Sequence, residues 1–240
     1  MYKGKKVLAV LGCLNEEGKI GKTIKKIPRD IVDEVVMVDD GSTDNTAGEA
    51  AEARARVIRH ERNMGAGAAY RTGHLFGRDN GFDILVAIAG DDQDLPEEMP
   101  RLLDKIVDEG YDYVHGSRWL PGGKRLNHPL SRSFLTKLYS WIFTILVRRK
   151  ITDGTNGFRA FKSSILSDER INLQQDWLNR YELEPYLYYQ VIKLGYKFTE
   201  VPVTKYYPEE KAVGFTKMAP FKGWWSIIRP LFLLAFRIKK

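Results

Sequence analysis

Six apolar residues, Ile84 to Ala89, run without alternation into Gly90-Asp91-Asp92-Gln93-Asp94. A short, β-prone run of this kind is a strand covered on both faces, which belongs in a parallel sheet sandwiched by helices. Acids at the carboxyl end of such a strand stand where open α/β sheets bind ligands. Oxygen donors there suit Mg2+ or Mn2+, and such an ion suits a diphosphate. The simpler alternative is an acidic turn before a helix that starts near Pro96, with Glu97 and Glu98 in its first turn.

The flanking chain repeats the pattern. Val7–Leu14, Glu34–Val38, Arg56–Arg59 and Tyr113–His115 read as further strands. Helices are expected over Glu16–Lys26, Thr43–Arg54, Ala68–Leu75 and Glu97–Glu109. Strands alternating with helices through residue 118 predict a parallel, doubly wound α/β sheet. Beyond it come a loop at Pro121-Gly122-Gly123, a long helix over Leu130–Arg149 and a strand lead-in over Asp153–Arg159. A helix over Tyr181–Leu194 and a strand over Phe198–Tyr206 follow, Pro202 marking the strand as an edge. With 240 residues and no repeat or linker, residues 1–220 are expected to form one domain, with 221–240 a basic, apolar, membrane-associating tail.

Charge is unevenly spread. Arg118 to Lys150 holds eight Lys/Arg and no acid, and Lys211 to Lys240 holds seven more and again no acid. A one-sided basic surface implies an anionic partner. Nucleic acid is not expected, because no recognition motif for it is present. Val7–Leu14 is too short for the core of a leader, and no segment reaches the ~20 apolar residues of a spanning helix. Phe134–Val147 and Trp224–Ile238 are rich in Trp, Phe, Leu and Ile and flanked by Lys/Arg, which suits helices lying in a membrane interface; ordinary core helices are the alternative. The single cysteine, Cys13, excludes an intramolecular disulfide.

Three further strand ends carry polar residues. Val38-Asp39-Asp40-Gly41-Ser42-Thr43-Asp44 offers acids for a base or ribose, though Ser42 or Thr43 also suits helix capping. In Asn63-Met64-Gly65-Ala66-Gly67, Gly65 and Gly67 allow close backbone approach, and Arg71 can pair with a phosphate. Gly116-Ser117-Arg118 ends a strand with an arginine suited to a diphosphate or an acceptor phosphate, or to an ordinary surface position.

Together these residues resemble the family 2 glycosyltransferases of the GT-A fold, and within them the dolichol-phosphate mannose or polyprenyl-phosphate glycosyltransferase type. The resemblance runs through Asn15-Glu16-Glu17, VDDGSTD at 38–44, NMGAGAAYRTG at 63–73, GDDQDLPEE at 90–98, GSR at 116–118, ITDGTNGFRAF at 151–161, EVPV at 200–203 and Gly214-Phe215-Thr216-Lys217. It implies an α/β GT-A fold with a mostly parallel central sheet flanked by helices, and interfacial C-terminal helices. It implies that Asn15, Glu17, Asp39 and Asp40 hold the nucleotide, with Gly65 and Arg71 beside it. Asp91 and Gln93, with Asp92 helping, would hold Mg2+ or Mn2+; Asp91, Arg118 and Lys217 would act in catalysis; Arg118, Arg132, Thr136 and Arg159 would meet the acceptor phosphate. Two positions depart from the family pattern: Gly12 stands in place of Pro, and Ala89 in place of the first Asp of the DxD.

The resemblance implies an inverting, metal-dependent hexosyltransferase. It would move a sugar from a nucleoside-diphosphate donor to polyprenyl or dolichyl phosphate, as a peripheral protein at the cytoplasmic face of a membrane. Polysaccharide-forming relatives carry an acidic base, and no paired acids of that kind lie between residues 153 and 180 except Asp168-Glu169. A phosphate monoester, ionised near neutral pH, needs no base. The alternatives are transfer to a saccharide hydroxyl, or a non-catalytic GT-A domain docking on membranes, which Ala89 favours.

Overall fold

The computed structural model describes residues 1–127, 130–207 and 220–239, without the side chains of 130, 131 and 220–224. The elements run β1 (Val7–Cys13), α1 (Ile20–Lys26), β2 (Glu34–Asp39), α2 (Thr46–Glu52), β3 (Arg56–Arg59), α3 (Ala66–Asp79), β4 (Ile84–Ala87), α4 (Met99–Val107), β5 (Tyr113–Ser117), β6 (Lys124–Leu126), α5 (Leu130–Val147), β7 (Arg159–Lys162), α6 (Leu183–Lys193), β8 (Phe198–Pro202), β9 (Thr204–Tyr206) and α7 (Pro220–Ala235).

The main sheet has the order β3-β2-β1-β4-β7-β5-β8. All neighbours in it pair parallel except β7, which runs antiparallel to both β4 and β5. The unbroken apolar strands are explained by cover on both faces. Leu8, Val10, Leu85 and Ala87 enter one core layer beneath α3, α5, α6 and α7, while Val7, Ala9, Leu11, Ile84 and Val86 enter the other beneath α1, α2 and α4. Helix α3 lies close on the sheet because Gly77 has no Cβ; one built there would stand 2.4 Å from Leu85 Cδ2.

The sheet is mostly parallel, as expected, and β7, which follows residue 118, is its antiparallel strand. Several expectations need correction. The strand expected over Phe198–Tyr206 divides at Val203. Its first part, β8, is an edge strand, as Pro202 suggested, because proline has no N–H to donate on an open side. Its second part, β9, leaves to pair with β6, just past the loop expected at Pro121-Gly122-Gly123, forming a separate two-stranded sheet. Helix α2 begins three residues later than expected because Thr43–Thr46 is held by side-chain bonds to the loop after β1.

Helix α7 docks on the domain. Leu231 and Leu234 are buried in the layer that also holds Tyr139, Phe143 and Val147 of α5. Arg229 Nη2 bonds to Glu182 Oε1 at 3.0 Å. The outer faces of both helices stay apolar. On α5, Phe134, Leu138, Trp141 and Ile145 recur at helical spacing and all are exposed. Trp225, Phe232 and, just past the helix, Phe236 do the same on α7. Among the described residues no helix is long and apolar enough to cross a membrane.

Candidate active site

The loops at the carboxyl edge of the sheet carry the expected polar residues. Asn15, at φ +53°, accepts from the Thr43 N–H at 2.9 Å and donates its own N–H to Ser42 Oγ at 2.9 Å. Glu17 Oε2 accepts from the Asn45 N–H at 3.3 Å. These contacts stitch the loop after β1 to the loop after β2. Asp39 is fully buried; its Oδ1 accepts from the Ser42 N–H at 2.9 Å and its Oδ2 lies 3.2 Å from Arg59 Nε. Asp40 accepts from the N–H groups of Met64 and Gly65 at 2.9 and 2.7 Å, and pairs with His60 Nδ1 at 2.8 Å. Asp40 therefore anchors the glycine loop.

That loop is shaped by packing. Gly65 has φ +108°, and a Cβ there would stand 2.3 Å from the Asn179 carbonyl oxygen. Arg71 donates to Leu173 O at 3.3 Å and to Asn179 Oδ1 at 2.7 Å, so it braces residues 173–179. This corrects the expectation that its guanidinium faces a phosphate.

After β4, the acidic residues separate into distinct roles. Among the described residues, Asp91 Oδ1 accepts only the Gln93 N–H, at 3.2 Å. Gln93 is buried, its carbonyl accepts from the Tyr206 N–H at 2.8 Å, and no side-chain hydrogen bond ties its amide among the described residues. Asp92, at φ +59°, bonds Lys26 Nζ of α1 at 2.7 Å through its Oδ1. Asp94 takes both of its bonds from Lys205 Nζ at 3.0 Å, and both residues are buried. Burial opposes the Lys205 charge, yet Asp94 holds the ammonium above its usual range. Sequence reading missed this pair, which ties β9 to the acidic loop.

Among the described residues no group of three His, Cys, Asp or Glu could hold a metal by itself. Asp91 Oδ2 and the Gln93 amide oxygen nevertheless are hard oxygens with no hydrogen bond among the described residues. Magnesium-like ions are commonly held by one or two carboxylates plus substrate phosphates and water. The donor set fits a metal that arrives with a diphosphate.

Arg118 is buried. Its Nε and Nη2 bond Asp153 Oδ2 and Oδ1 at 2.7 and 2.8 Å, and Nη1 and Nη2 also donate to the Tyr207 and Thr155 hydroxyls at 2.7 Å each. Burial opposes the Asp153 charge, but Arg118 outweighs it and keeps the carboxyl below its usual range. Among the described residues one guanidinium N–H is left, so Arg118 is first a structural cation. Glu200, in the EVPV stretch, accepts from the N–H groups of Thr152 and Asp153 at 2.8 and 2.9 Å and so holds Asp153 in place. Burial raises the Glu200 carboxyl, with those N–H groups opposing it.

Beside this pair lies a pocket of about 170 Å³, lined by His115 of β5, Arg132 of α5, Gly154 to Asn156, Arg159 of β7, Tyr181, Glu184, Pro185 and Tyr188 of the α6 region, and Ile227 of α7. Arg159 is buried and meets Glu184 Oε1 at 2.5 Å. Arg132 lies over the Tyr207 ring, 5.3 Å from its centroid. Thr136 is buried one turn further along α5, where its hydroxyl donates to Ser133 O at 3.1 Å; it does not line the pocket. Lys217 lies outside the described residues. Glu182 and Glu184 lie just past residues 153–180, and only the fold brings Glu184 to the pocket.

Comparison with known proteins decides the family. Residues 9–169 match the model of glycosyl transferase family 2. The chain belongs to that family. It is 33% identical over 222 residues to the undecaprenyl-phosphate mannosyltransferase of Micrococcus luteus, covering 89% of this chain and 88% of that one. It is 35% identical over 191 residues to the polyprenol monophosphomannose synthase of Mycolicibacterium smegmatis, covering 77% and 70%. The fold matches glucosyl-3-phosphoglycerate synthase from Mycobacterium tuberculosis, solved with Mn2+ and UDP, at a TM-score of 0.73 and 20% identity over 99% of this chain and 82% of that one. The GT-A architecture is therefore that of the family.

Proposed function

We propose that this glycosyltransferase moves a hexose from a nucleoside-diphosphate sugar to the phosphate of a polyprenyl or dolichyl lipid, with inversion. The observation that carries the reading is the build of α5. The helix presents Arg132 to the pocket, and Phe134, Trp141 and Ile145 to the outside. A cation at the site and an apolar stripe on the same helix suit an acceptor whose charged head enters while its chain stays in lipid. The relatives named for undecaprenyl-phosphate and polyprenol monophosphate chemistry point to the same acceptor class.

The nucleoside would rest on the loops after β1 and β2, near Asn15, Glu17 and Asp39. Asp91 and Gln93 would hold Mg2+ or Mn2+, which when bound neutralises charge on the leaving diphosphate. Asp94–Lys205 and Arg118–Asp153 keep those ligands and the acceptor side in register. Arg132 would orient the lipid phosphate, which attacks already ionised, so no base has to take a proton. Lys217 is proposed, from the family pattern, as a further phosphate contact. The exposed stripes of α5 and α7, with Lys137, Arg148 and Arg149 nearby in sequence, would seat the protein on the cytoplasmic face of a membrane.

Incubating the protein and Mn2+ with GDP-mannose, UDP-glucose or UDP-N-acetylglucosamine and polyprenyl phosphate in liposomes tests the reading. A glycolipid from one donor is expected. No transfer from any donor sinks the reading. Glu184 supports a second one, because a carboxylate in the pocket suits a saccharide hydroxyl as acceptor. Transfer to short oligosaccharides without lipid phosphate, lost in Glu184→Gln, would favour it.

A further inference from the structure

Arg132 sits in the first turn of α5, where the positive end of the helix dipole opposes a cation. Among the described residues its guanidinium makes no hydrogen bond and no ion pair. What it meets is the face of the Tyr207 ring, 5.3 Å from the centroid, inside the ~6 Å over which a ring attracts a cation. An arginine head on a long, flexible stem samples many rotamers, and a site that uses it has to stop that motion. The ring is the feature of the fold that does so.

Tyr207 is a fixed platform. It is 3% exposed. Its hydroxyl accepts from Arg118 Nη1 at 2.7 Å, and Arg118 is itself locked on Asp153. A bond from a charged donor is short and strong, so it pins the tip of the ring. At the other end the Tyr207 N–H donates to Leu126 O at 2.9 Å. One residue back, the Tyr206 N–H donates to Gln93 O at 2.8 Å, and two back Lys205 Nζ bonds Asp94. Lys205 and Tyr207 are buried while Tyr206 between them is 40% exposed, the alternation of an extended chain. One short segment therefore grips the acidic loop after β4 and carries the platform under Arg132.

We propose that Tyr207 is a positioning residue for the acceptor: its ring face fixes the Arg132 guanidinium at a set distance from the acidic loop, so that the lipid phosphate is aimed at the donor. Tyr207 does not line the pocket and acts through Arg132. The inference rests on the acceptor reading above and adds the residue that aims its cation.

Tyr207→Phe removes the hydroxyl and keeps the ring face, whereas Tyr207→Leu removes both. Each leaves Arg118 Nη1 without that hydroxyl, so comparing the two isolates the ring. The readout is calorimetric binding of farnesyl phosphate, a short polyprenyl phosphate. Tyr207→Leu is expected to weaken it by ~5-fold or more and Tyr207→Phe by under ~2-fold. In an Arg132→Ala background, Tyr207→Leu is expected to add under ~2-fold, because two residues acting through one contact are not additive. Where Tyr207→Leu does not fold, a trifluorinated phenylalanine at position 207 keeps the shape and strips the negative ring face. It is expected to bind farnesyl phosphate more weakly than Tyr207→Phe by a similar factor. Binding of Mn2+ with GDP or UDP is expected to hold within ~2-fold throughout, and a parallel loss there overturns the inference. So do wild-type affinity in Tyr207→Leu, equal losses in the two variants, or the same loss with and without Arg132. In those cases the acceptor reading stands. A wild type that binds no farnesyl phosphate takes down that reading, and the inference with it.

Discussion

Arg118 and Asp153 meet through two parallel bonds of 2.7 and 2.8 Å, with both side chains shut away from water. Removing one partner of such a pair leaves an uncompensated buried charge, which typically costs about 3–5 kcal/mol. Arg118→Ala is therefore expected to lower unfolding stability by that order, measured by urea denaturation, as well as activity. A stable Arg118→Ala variant whose only defect is a raised KM for lipid phosphate would return Arg118 to direct phosphate contact.

Asp91 and Asp92 are adjacent, yet among the described residues only Asp92 is tied to a lysine, Lys26 at 2.7 Å. Asp91→Ala and Gln93→Ala are expected to weaken Mn2+-dependent binding of the nucleoside diphosphate by at least the ~10-fold that outer-shell changes cost at metal sites. Asp92→Ala should leave that binding nearly intact and cost under about 1 kcal/mol of stability, as partly exposed pairs do. Calorimetry with and without EDTA checks both, and equal effects at Asp91 and Asp92 would refute the assignment.

Arg132 is half-buried at the pocket and stacks on Tyr207. Arg132→Ala is expected to raise the apparent KM for polyprenyl phosphate by ~10-fold, the cost of losing a charge-assisted contact, and that for the donor far less. Initial rates with each substrate varied in turn provide the measurement. Matching increases for both substrates would argue against an acceptor role.

Trp141 and Phe236 are among the most exposed large apolar side chains. Trp141→Glu combined with Phe236→Glu is expected to abolish co-sedimentation with anionic liposomes, while nucleoside-diphosphate binding in solution persists. Undiminished sedimentation would assign the membrane contact elsewhere.

His74 and His115 are buried, and burial, reinforced by Arg159, pushes both down to about 3. An unfolded histidine titrates near ~6.5, so the unfolded chain takes up protons first as pH falls. Their contribution is complete above ~6.5 and is lost between there and pH 3, at up to about 1.4 kcal/mol per histidine per pH unit. Urea midpoints are expected to fall from pH 7 to pH 5, and His74→Phe with His115→Phe should flatten that slope. An unchanged slope would mean that other groups drive acid unfolding.

Much of the carboxyl edge was legible in sequence, because short apolar strands ending in polar residues declare both their burial and their ligand-facing ends. The roles of those residues were less legible. Asp40, Arg71 and Asp92 all lie where a ligand-binding reading puts them, and the fold gives them backbone, His60, Asn179 and Lys26 partners. Those partners come from other loops and helices, so no local pattern carries them.

Local chemistry along the chain was enough to determine an α/β sheet, the acidic end of β4 and the two helices with apolar outer stripes, since periodicity and turn residues act over a few positions. Tertiary structure alone decided the reversal of β7, the Lys205–Asp94 tie across 111 residues and the joining of His115, Asn156 and Tyr188 around one pocket. Such contacts depend on which strands become neighbours, and that is settled by packing of the whole core.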